Sequence, residues 1–104
     1  MLHDLFSESN DLYVCDAVVA EALSSGSDEH LEVIKALIDA LEYVSTHADA
    51  AGWAGASRRR LRQKSPRRLG DAIIAGVAWF NDAIVVTRNP VDFEVQGIRV
   101  LAYE

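Results

Sequence analysis

The sequence predicts one α/β domain in which a mostly parallel sheet is flanked by helices in three layers. Short β-favouring segments alternate with helical patterns along the chain, as in folds that join parallel strands by crossover helices. Residues 83–87 form an almost entirely apolar run, which is typical of a strand buried on both faces. The length of 104 residues suits a single domain, which we assign to residues 1–104.

The first half of the chain predicts a short helix, a strand and two further helices. Residues 2–10 indicate a short helix or a helix end, and residues 11–15 carry β-favouring side chains. Asp16 is expected to cap a helix that ends at a Ser-Ser-Gly sequence. The next helix opens with two acids, and its apolar stripe consists of Leu31, Ile34, Leu37, Ile38 and Leu41. Residues 41–44 fit either the end of that helix or a short strand, which their Tyr-Val pair favours.

The second half predicts two helices and two strands. Thr46 is expected to cap a helix that runs to about Arg62, after which a Ser-Pro pair indicates a loop. A helix over residues 71–80 should end at an Asn-Asp pair, before the strand over residues 83–87. An Asn-Pro pair then predicts a turn, and residues 98–101 predict the last strand.

Seven of the ten basic residues lie in one stretch, which we call the basic tract. Its members are Arg58, Arg59, Arg60, Arg62, Lys64, Arg67 and Arg68. The whole chain has ten basic and sixteen acidic side chains, a net charge of −6, which argues against a dedicated histone-like nucleic-acid binder. The tract fits two interpretations. It binds phosphate or an acidic partner, or it is simply the solvated C-terminal end of a helix, where the helix dipole favours positive side chains.

The chain lacks the signatures of several functional classes. Cys15 is the only cysteine, so neither an intrachain disulfide nor a cysteine zinc site is possible. The first residues lack the pattern of a signal peptide, and the longest uncharged apolar stretch, residues 72–80, is far shorter than the roughly 20 residues of a membrane span. We therefore expect a cytoplasmic protein without membrane association. Nucleophile elbows, P-loops and Gly-rich dinucleotide motifs are absent from the sequence.

Three acidic residues lie where a parallel sheet positions its ligands. Glu21 is in the helix after the first strand, Asp71 is at the start of its helix, and Asp92 follows the buried strand by five positions. Because ligands bind beyond the carboxyl ends of parallel strands, we expect these carboxylates at one edge of the sheet. Such oxygen ligands suit Mg²⁺ or Mn²⁺. Taken singly, each acid also fits a structural role as a helix cap, a turn residue or a solvated helix residue.

Two segments of the second half carry a family resemblance. Gly-Asp-Ala-Ile-Ile-Ala at residues 70–75 and Val-Val-Thr-Arg-Asn-Pro-Val-Asp-Phe at residues 85–93 look like the C-terminal half of a PIN-domain protein. Asp71 and Asp92 are 92 − 71 = 21 positions apart, which fits the pattern of that family. The run that ends in Ala-Glu at Glu21 resembles the family's upstream strand and helix. The chain therefore resembles the VapC-like ribonuclease toxins of bacterial toxin–antitoxin pairs.

The resemblance implies a metal-dependent endoribonuclease that hydrolyses RNA phosphodiesters and is neutralised by a cognate antitoxin. It assigns Glu21, Asp71 and Asp92 to catalysis and to the binding of Mg²⁺ or Mn²⁺, with Asn89 beside the site. The basic tract would then bind RNA phosphates. A homodimer is the expected assembly, because an exposed Trp/Phe helix face indicates an interface.

The resemblance is incomplete at the N-terminus. In the family the first acid ends a strand at the centre of the sheet, and this chain shows no such strand. We therefore expect an N-terminally shortened PIN-like domain whose first, central strand is missing. Asp4 and Asp11 do not follow an apolar strand, so neither receives that role. The alternative function is a catalytically impaired PIN-like binding module that retains antitoxin or dimer contacts, and a third interpretation is an unrelated α/β interaction domain.

Overall fold

The computed structural model describes residues 12–64 and 66–102, and the helix expected over residues 2–10 lies outside them. The chain divides into two units, one that extends to Ser45 and one that starts at Thr46. Each unit contains helices and one pair of parallel strands. The α/β class and the parallel pairing are confirmed. The single three-layer sheet, the missing central strand and the one-domain assignment stay predictions.

The first unit follows the order strand, helix, helix, strand. Its elements are β1 (Tyr13–Cys15), α1 (Asp16–Ser25), a 3₁₀ turn (Asp28–His30), α2 (Leu31–Asp39) and β2 (Glu42–Val44). The two strands are parallel, with Val14 opposite Tyr43. The Glu42 N–H donates to the Leu12 carbonyl at 3.0 Å, which starts this ladder. Of the two alternatives for residues 41–44, the strand is therefore the one that forms.

Asp16 connects the start of α1 to β2. The sequence predicts Asp16 as the N-cap, but this is wrong by one residue, because extended Cys15 caps the helix and Asp16 is its first residue. The Tyr43 hydroxyl donates a hydrogen bond to the Asp16 carboxylate. This bond and the negative charge of Asp16 raise the pKa of Tyr43 above its ordinary value of 10.0.

The second unit contains three helices and two parallel strands. Its elements are α3 (Ala48–Leu61), α4 (Leu69–Phe80), β3 (Val85–Thr87), α5 (Pro90–Glu94) and β4 (Val100–Ala102). The strands pair with Val86 opposite Leu101. The buried core consists of Ala75, Ala78, Val85, Phe93 and Ile98. Strands β3 and β4 and helices α4 and α5 thus enclose one apolar cluster.

Helices α3 and α4 approach each other closely at Gly76. A Cβ at this position would lie 2.5 Å from the Ala50 carbonyl oxygen and 3.3 Å from its carbon. Ala50 and Ala54 of α3 are almost completely buried. Trp53 of α3 stacks on Trp79 of α4, with ring centroids 5.8 Å apart. Small residues therefore allow the two helix backbones to come into contact, and the paired indoles flank that contact.

The C-terminal end of α4 explains why β3 is shorter than predicted. The break predicted at the Asn81–Asp82 pair is confirmed, because Asp82 has a left-handed φ of 49°. The Ala83 N–H then donates to the Ala78 carbonyl at 2.9 Å, which closes the helix end. Since residue 83 is used for this closure, β3 begins at Val85 and not at the predicted position.

The N-terminal ends of α3 and α4 also differ from prediction. His47, and not Thr46, is the N-cap of α3, because its Nδ1 accepts a hydrogen bond from the Ala50 N–H at 3.2 Å. Helix α4 begins at Leu69, two residues before the predicted start at Asp71. Asp71 consequently lies within the first turn of the helix.

The segment between the last two strands forms a helix where the sequence predicts a turn. Pro90 is the first residue of α5, a position that needs no backbone N–H donor. Gly97 adopts a left-handed φ of 82°, and the Ile98 N–H donates to the Phe93 carbonyl at 3.2 Å to close the helix. Strand β4 therefore starts at Val100, two residues later than predicted.

Candidate functional site

Asp92 lies in the first turn of α5, directly beyond the carboxyl end of β3. Its N–H donates to the carbonyl of Asn89, the N-cap residue of this helix, at 3.2 Å. The Asn89 N–H donates in turn to the hydroxyl of Thr87, the last residue of β3, at 3.0 Å. These local bonds hold Asp92 near the strand end at which parallel sheets bind their ligands.

The Asp92 carboxylate forms an ion pair with the guanidinium of Arg67. Arg67 belongs to the loop between α3 and α4, and 25 positions separate it from Asp92. The Arg67 side chain is 12% exposed and the Asp92 side chain 38% exposed. Solvent screens such a pair less than it screens one on the open surface. One side chain of the predicted phosphate-binding tract is therefore in direct contact with a predicted metal ligand.

Two consecutive residues of α3 hold the backbone on either side of this ion pair. The Arg58 Nε donates to the Arg67 carbonyl at 3.2 Å. The Ser57 hydroxyl donates to the Gln96 Oε1 at 2.9 Å, and the Gln96 amide donates to the Asp92 carbonyl at 2.8 Å. Ser57 and Gln96 are both buried, so the second connection is a shielded hydrogen-bond chain. Helix α3 thereby positions both members of the ion pair.

Asp71 follows the same loop into α4. It is half-buried and lies four residues after Arg67. Helices α4 and α5 pack against each other, and Arg67 joins the loop before α4 to the first turn of α5. Two of the three predicted metal ligands, Asp71 and Asp92, therefore lie in one unit, on segments that the Arg67 side chain connects.

Glu21 belongs to the first unit, where its side chain is exposed near the middle of α1. Its backbone carbonyl accepts hydrogen bonds from the hydroxyls of Ser24 and Ser25 at 3.1 and 2.6 Å. Over the described residues, neither unit gathers three His, Cys, Asp or Glu side chains as a metal ion requires. The carboxylate chemistry of Asp71 and Asp92 suits a hard cation, and the guanidinium of the ion pair stands in for a cation at Asp92. The metal assignment stays a prediction.

The basic tract forms a wall of a groove along α3, with a volume of about 620 Å³. The groove is lined by Gly52, Gly55, Ala56, Arg58, Arg59, Arg62, Pro66 and Arg67. A Cβ added at Gly52 or Gly55 would meet no atom within 4 Å, so the groove is open above both glycines. Arg60, Lys64 and Arg68 are exposed outside this lining. Four guanidinium groups beside two exposed glycines suit a chain of phosphates.

Two residues that support Asp92, Ser57 and Gln96, are missing from the sequence-based site. Arg67 belongs to the predicted basic tract, but its pairing with Asp92 is not predicted. Gln96 follows Asp92 by four positions, the spacing of neighbours on a helix face, but the sequence predicts a turn there. Ser57 has no such signal, and neither does the pairing of Arg67 with Asp92, because helix α4 and strand β3 separate both residues from Asp92 along the chain. Only the packing of α3 and α4 brings them to that carboxylate.

Comparison with known proteins yields matches at the level of structure. No family model matches the chain, and no curated protein matches it. The chain is similar to one in the crystal structure of DNA-bound VapBC from Salmonella typhimurium, with 27% identity and a TM-score of 0.78 over 97% of this chain and 82% of that chain. It is also similar to a chain of FitAB bound to an IR36 DNA fragment, with 19% identity and a TM-score of 0.77 over 97% and 80%. The second likeness shows the fold alone.

Both structures are toxin–antitoxin complexes. This chain shares their fold. The similarity to VapBC supports a toxin–antitoxin-related role. The predicted resemblance is confirmed at this level, whereas PIN-domain identity, ribonuclease activity and metal dependence stay predictions.

Proposed function

We propose that this chain is the toxin of a toxin–antitoxin pair and acts as a PIN-type endoribonuclease on RNA phosphodiesters. The observation that carries this proposal is the position of Arg67, which lines the basic groove and also pairs with Asp92. An RNA strand with its phosphates in the groove would therefore extend to a carboxylate at the end of β3. The similarity to the VapBC structure supports the toxin–antitoxin part of this proposal.

The groove would bind RNA mainly through its phosphates. Arg59 and Arg62 line it without a role in holding Asp92, so they are the side chains best placed for this contact. Gly52 and Gly55 would let a ribose-phosphate backbone approach the helix closely. The tract residues outside the groove, which are Arg60, Lys64 and Arg68, would add to the local positive potential.

We assign Glu21, Asp71 and Asp92 as the catalytic and metal-binding carboxylates for Mg²⁺ or Mn²⁺, with Asn89 beside them. A bound ion of this kind activates water and neutralises charge on a phosphodiester. The contacts described above contribute by holding the backbone around these carboxylates in place. The buried chain from α3 holds the Asp92 backbone, and a second bond from α3 holds the loop that leads to Asp71.

Asparagine variants of the two acids in the second unit test the ribonuclease activity. Asp71→Asn and Asp92→Asn should each abolish Mn²⁺-dependent cleavage of a labelled RNA, because an amide oxygen carries no charge for a cation. Asp39→Asn, at an exposed position of α2, is the matched control and should cleave like the wild type. Circular dichroism checks that each variant is folded. Unchanged cleavage in both site variants would refute the assignment.

The salt dependence of RNA binding tests the groove. Removing two phosphate contacts with the double variant Arg59→Gln/Arg62→Gln should make the slope of log Kobs against log salt shallower by about 1.4 for single-stranded RNA. Arg99→Gln is the control, because Arg99 is an exposed arginine that pairs with Asp82 outside the tract. An equal change of slope in the control and the double variant would exclude a specific role for the groove.

A second candidate function is a catalytically impaired PIN-like module that retains antitoxin or dimer contacts. The ion pair favours it, because Arg67 occupies an oxygen of the Asp92 carboxylate, and neither unit over its described residues collects three metal ligands. This function predicts that the wild type cleaves RNA no faster than Asp92→Asn in Mg²⁺ or Mn²⁺. Metal-dependent cleavage by the wild type alone would exclude it.

We propose a cognate antitoxin and a second copy of this chain as protein partners. Trp79 and Phe80, at the end of α4, are 54% and 45% exposed, which suits an apolar interface. Light scattering after size exclusion distinguishes the dimer from the monomer, and Trp79→Ala should shift the population toward the monomer. No helix among the described residues is long and apolar enough to cross a membrane. The cytoplasmic location stays a prediction.

A further inference from the structure

We propose that Arg67 competes with divalent cations for the Asp92 carboxylate and so sets how tightly the site binds metal. This inference rests on the proposed metal site and concerns its regulation. The ion pair places a cation of the chain itself on a carboxylate that the proposed function assigns to Mg²⁺ or Mn²⁺. An arriving ion would have to displace the guanidinium or share the carboxylate with it.

Competition follows from the geometry and charge of the pair. The Arg67 guanidinium donates to Oδ1 of Asp92, so that oxygen has a donor already. The guanidinium also repels a divalent ion, and at 12% exposure little solvent lies around it to screen that repulsion. Asp92 is more exposed, at 38%, so a hydrated ion can reach the carboxylate from the solvent side.

The supporting hydrogen bonds determine which partner moves. The Asp92 backbone is held by Gln96, which Ser57 holds in turn, and α5 restrains the residue further. Arg58 holds the backbone carbonyl of Arg67. Because the arginine side chain has several rotatable bonds and the aspartate side chain has two, exchange would proceed by rotation of the Arg67 side chain. Metal affinity would therefore depend on Arg67 more than on other arginines of the groove.

Calorimetric titration with Mn²⁺ on the full chain tests this dependence. Arg67→Gln should bind Mn²⁺ about tenfold more tightly than the wild type, because the competing cation is gone. Arg62→Gln is the matched control: it removes the same charge from the same groove, and its affinity should change by less than about threefold. Binding to both proteins should be lost in the Asp92→Asn background. An equal gain in Mn²⁺ affinity in the two arginine variants would overturn the inference, because the gain would then come from the loss of positive charge anywhere in the groove.

A second measurement uses the wild type and so does not depend on the folding of a variant. In ¹⁵N-labelled protein, the Arg67 Nε–H signal should shift as Mg²⁺ is added, with the same midpoint as the heat of binding. An unchanged signal during binding that needs Asp92 would overturn the inference and leave the proposed metal site intact. If neither the wild type nor Arg67→Gln binds Mn²⁺ or Mg²⁺, the inference and the metal dependence of the proposed function fail together. Binding by Arg67→Gln alone would support the inference.

Discussion

Replacement of Gly76 by alanine tests the contact between α3 and α4. The new Cβ would lie 2.5 Å from the Ala50 carbonyl oxygen and 3.5 Å from Cε3 of Trp53. Carbon and oxygen in ordinary contact are about 3.4 Å or more apart, so the helices would have to separate by nearly 1 Å. Alanine by itself favours a helix over glycine by about 1 kcal/mol. Overpacking in a well-packed core costs about 1–3 kcal/mol, and here a backbone atom must move, which favours the upper part of this range.

The net expectation for Gly76→Ala is a loss of about 1–2 kcal/mol in the free energy of unfolding. Urea unfolding followed by tryptophan fluorescence measures it, because Trp53 and Trp79 flank the contact. Gly55→Ala is the matched control within α3, where the added Cβ meets no atom within 4 Å. It should stabilise the protein by about 0.5–1 kcal/mol. A Gly76→Ala protein as stable as the wild type, or a change of the same sign in both variants, would refute this account of the helix contact.

Three further predictions concern the core, the buried hydrogen-bond chain and the pair between Tyr43 and Asp16. Phe93→Ala should lower the free energy of unfolding by about 3–5 kcal/mol, because this ring fills the core of the second unit; a loss below about 1 kcal/mol in urea would contradict its placement. Ser57→Ala should lower the free energy of unfolding by about 1–3 kcal/mol, because it removes the hydrogen-bond donor to Gln96. A double-mutant cycle with Gln96→Leu should show coupling between the two residues, and strictly additive losses would count against the hydrogen bond. The pKa of Tyr43 should fall toward 10.0 in Asp16→Ala, as followed by the absorbance of the ionised phenol with Tyr43→Phe as the blank. Because the pKa of Tyr43 is raised in the folded state, its pair with Asp16 stabilises the fold below pH 10.0, and this contribution is lost as pH rises through the raised pKa. If Tyr43 titrates identically in the wild type and in Asp16→Ala, the interaction is excluded.

Most elements could be predicted from local pattern, and their boundaries could not. The apolar stripe of α2 is a strong periodic signal, and the continuous apolar run that contains β3 is typical of a buried strand; both elements form. The strands β3 and β4 start later than predicted because residues that suit a strand, Ala83 and Ile98, donate hydrogen bonds that close the preceding helices. Helix α5 is too short to show a period, although an Asn-Pro pair followed by an acid is a recognised helix start.

The candidate site, too, could be predicted only in part from the sequence. Asp71, Asp92 and the basic tract were identifiable as residue types in a sequence pattern, and the structure places the two acids on segments joined by Arg67. The ion pair itself carries no sequence signal, since any of seven basic side chains could meet that carboxylate. Its selection of Arg67 depends on how α3 holds the following loop through Arg58.

The sequence by itself determined the α/β class, the parallel pairing expected of alternating strands and helices, and a concentration of positive charge in one stretch. Local backbone preference and side-chain periodicity act over a few residues, so these features can be predicted from the sequence. Tertiary structure alone decided that Gly76 lets two helices touch, that Ser57 and Gln96 hold Asp92, and that Arg67 neutralises it. Those contacts join residues far apart in sequence, and they form only because burial of the core brings α3, α4 and α5 together.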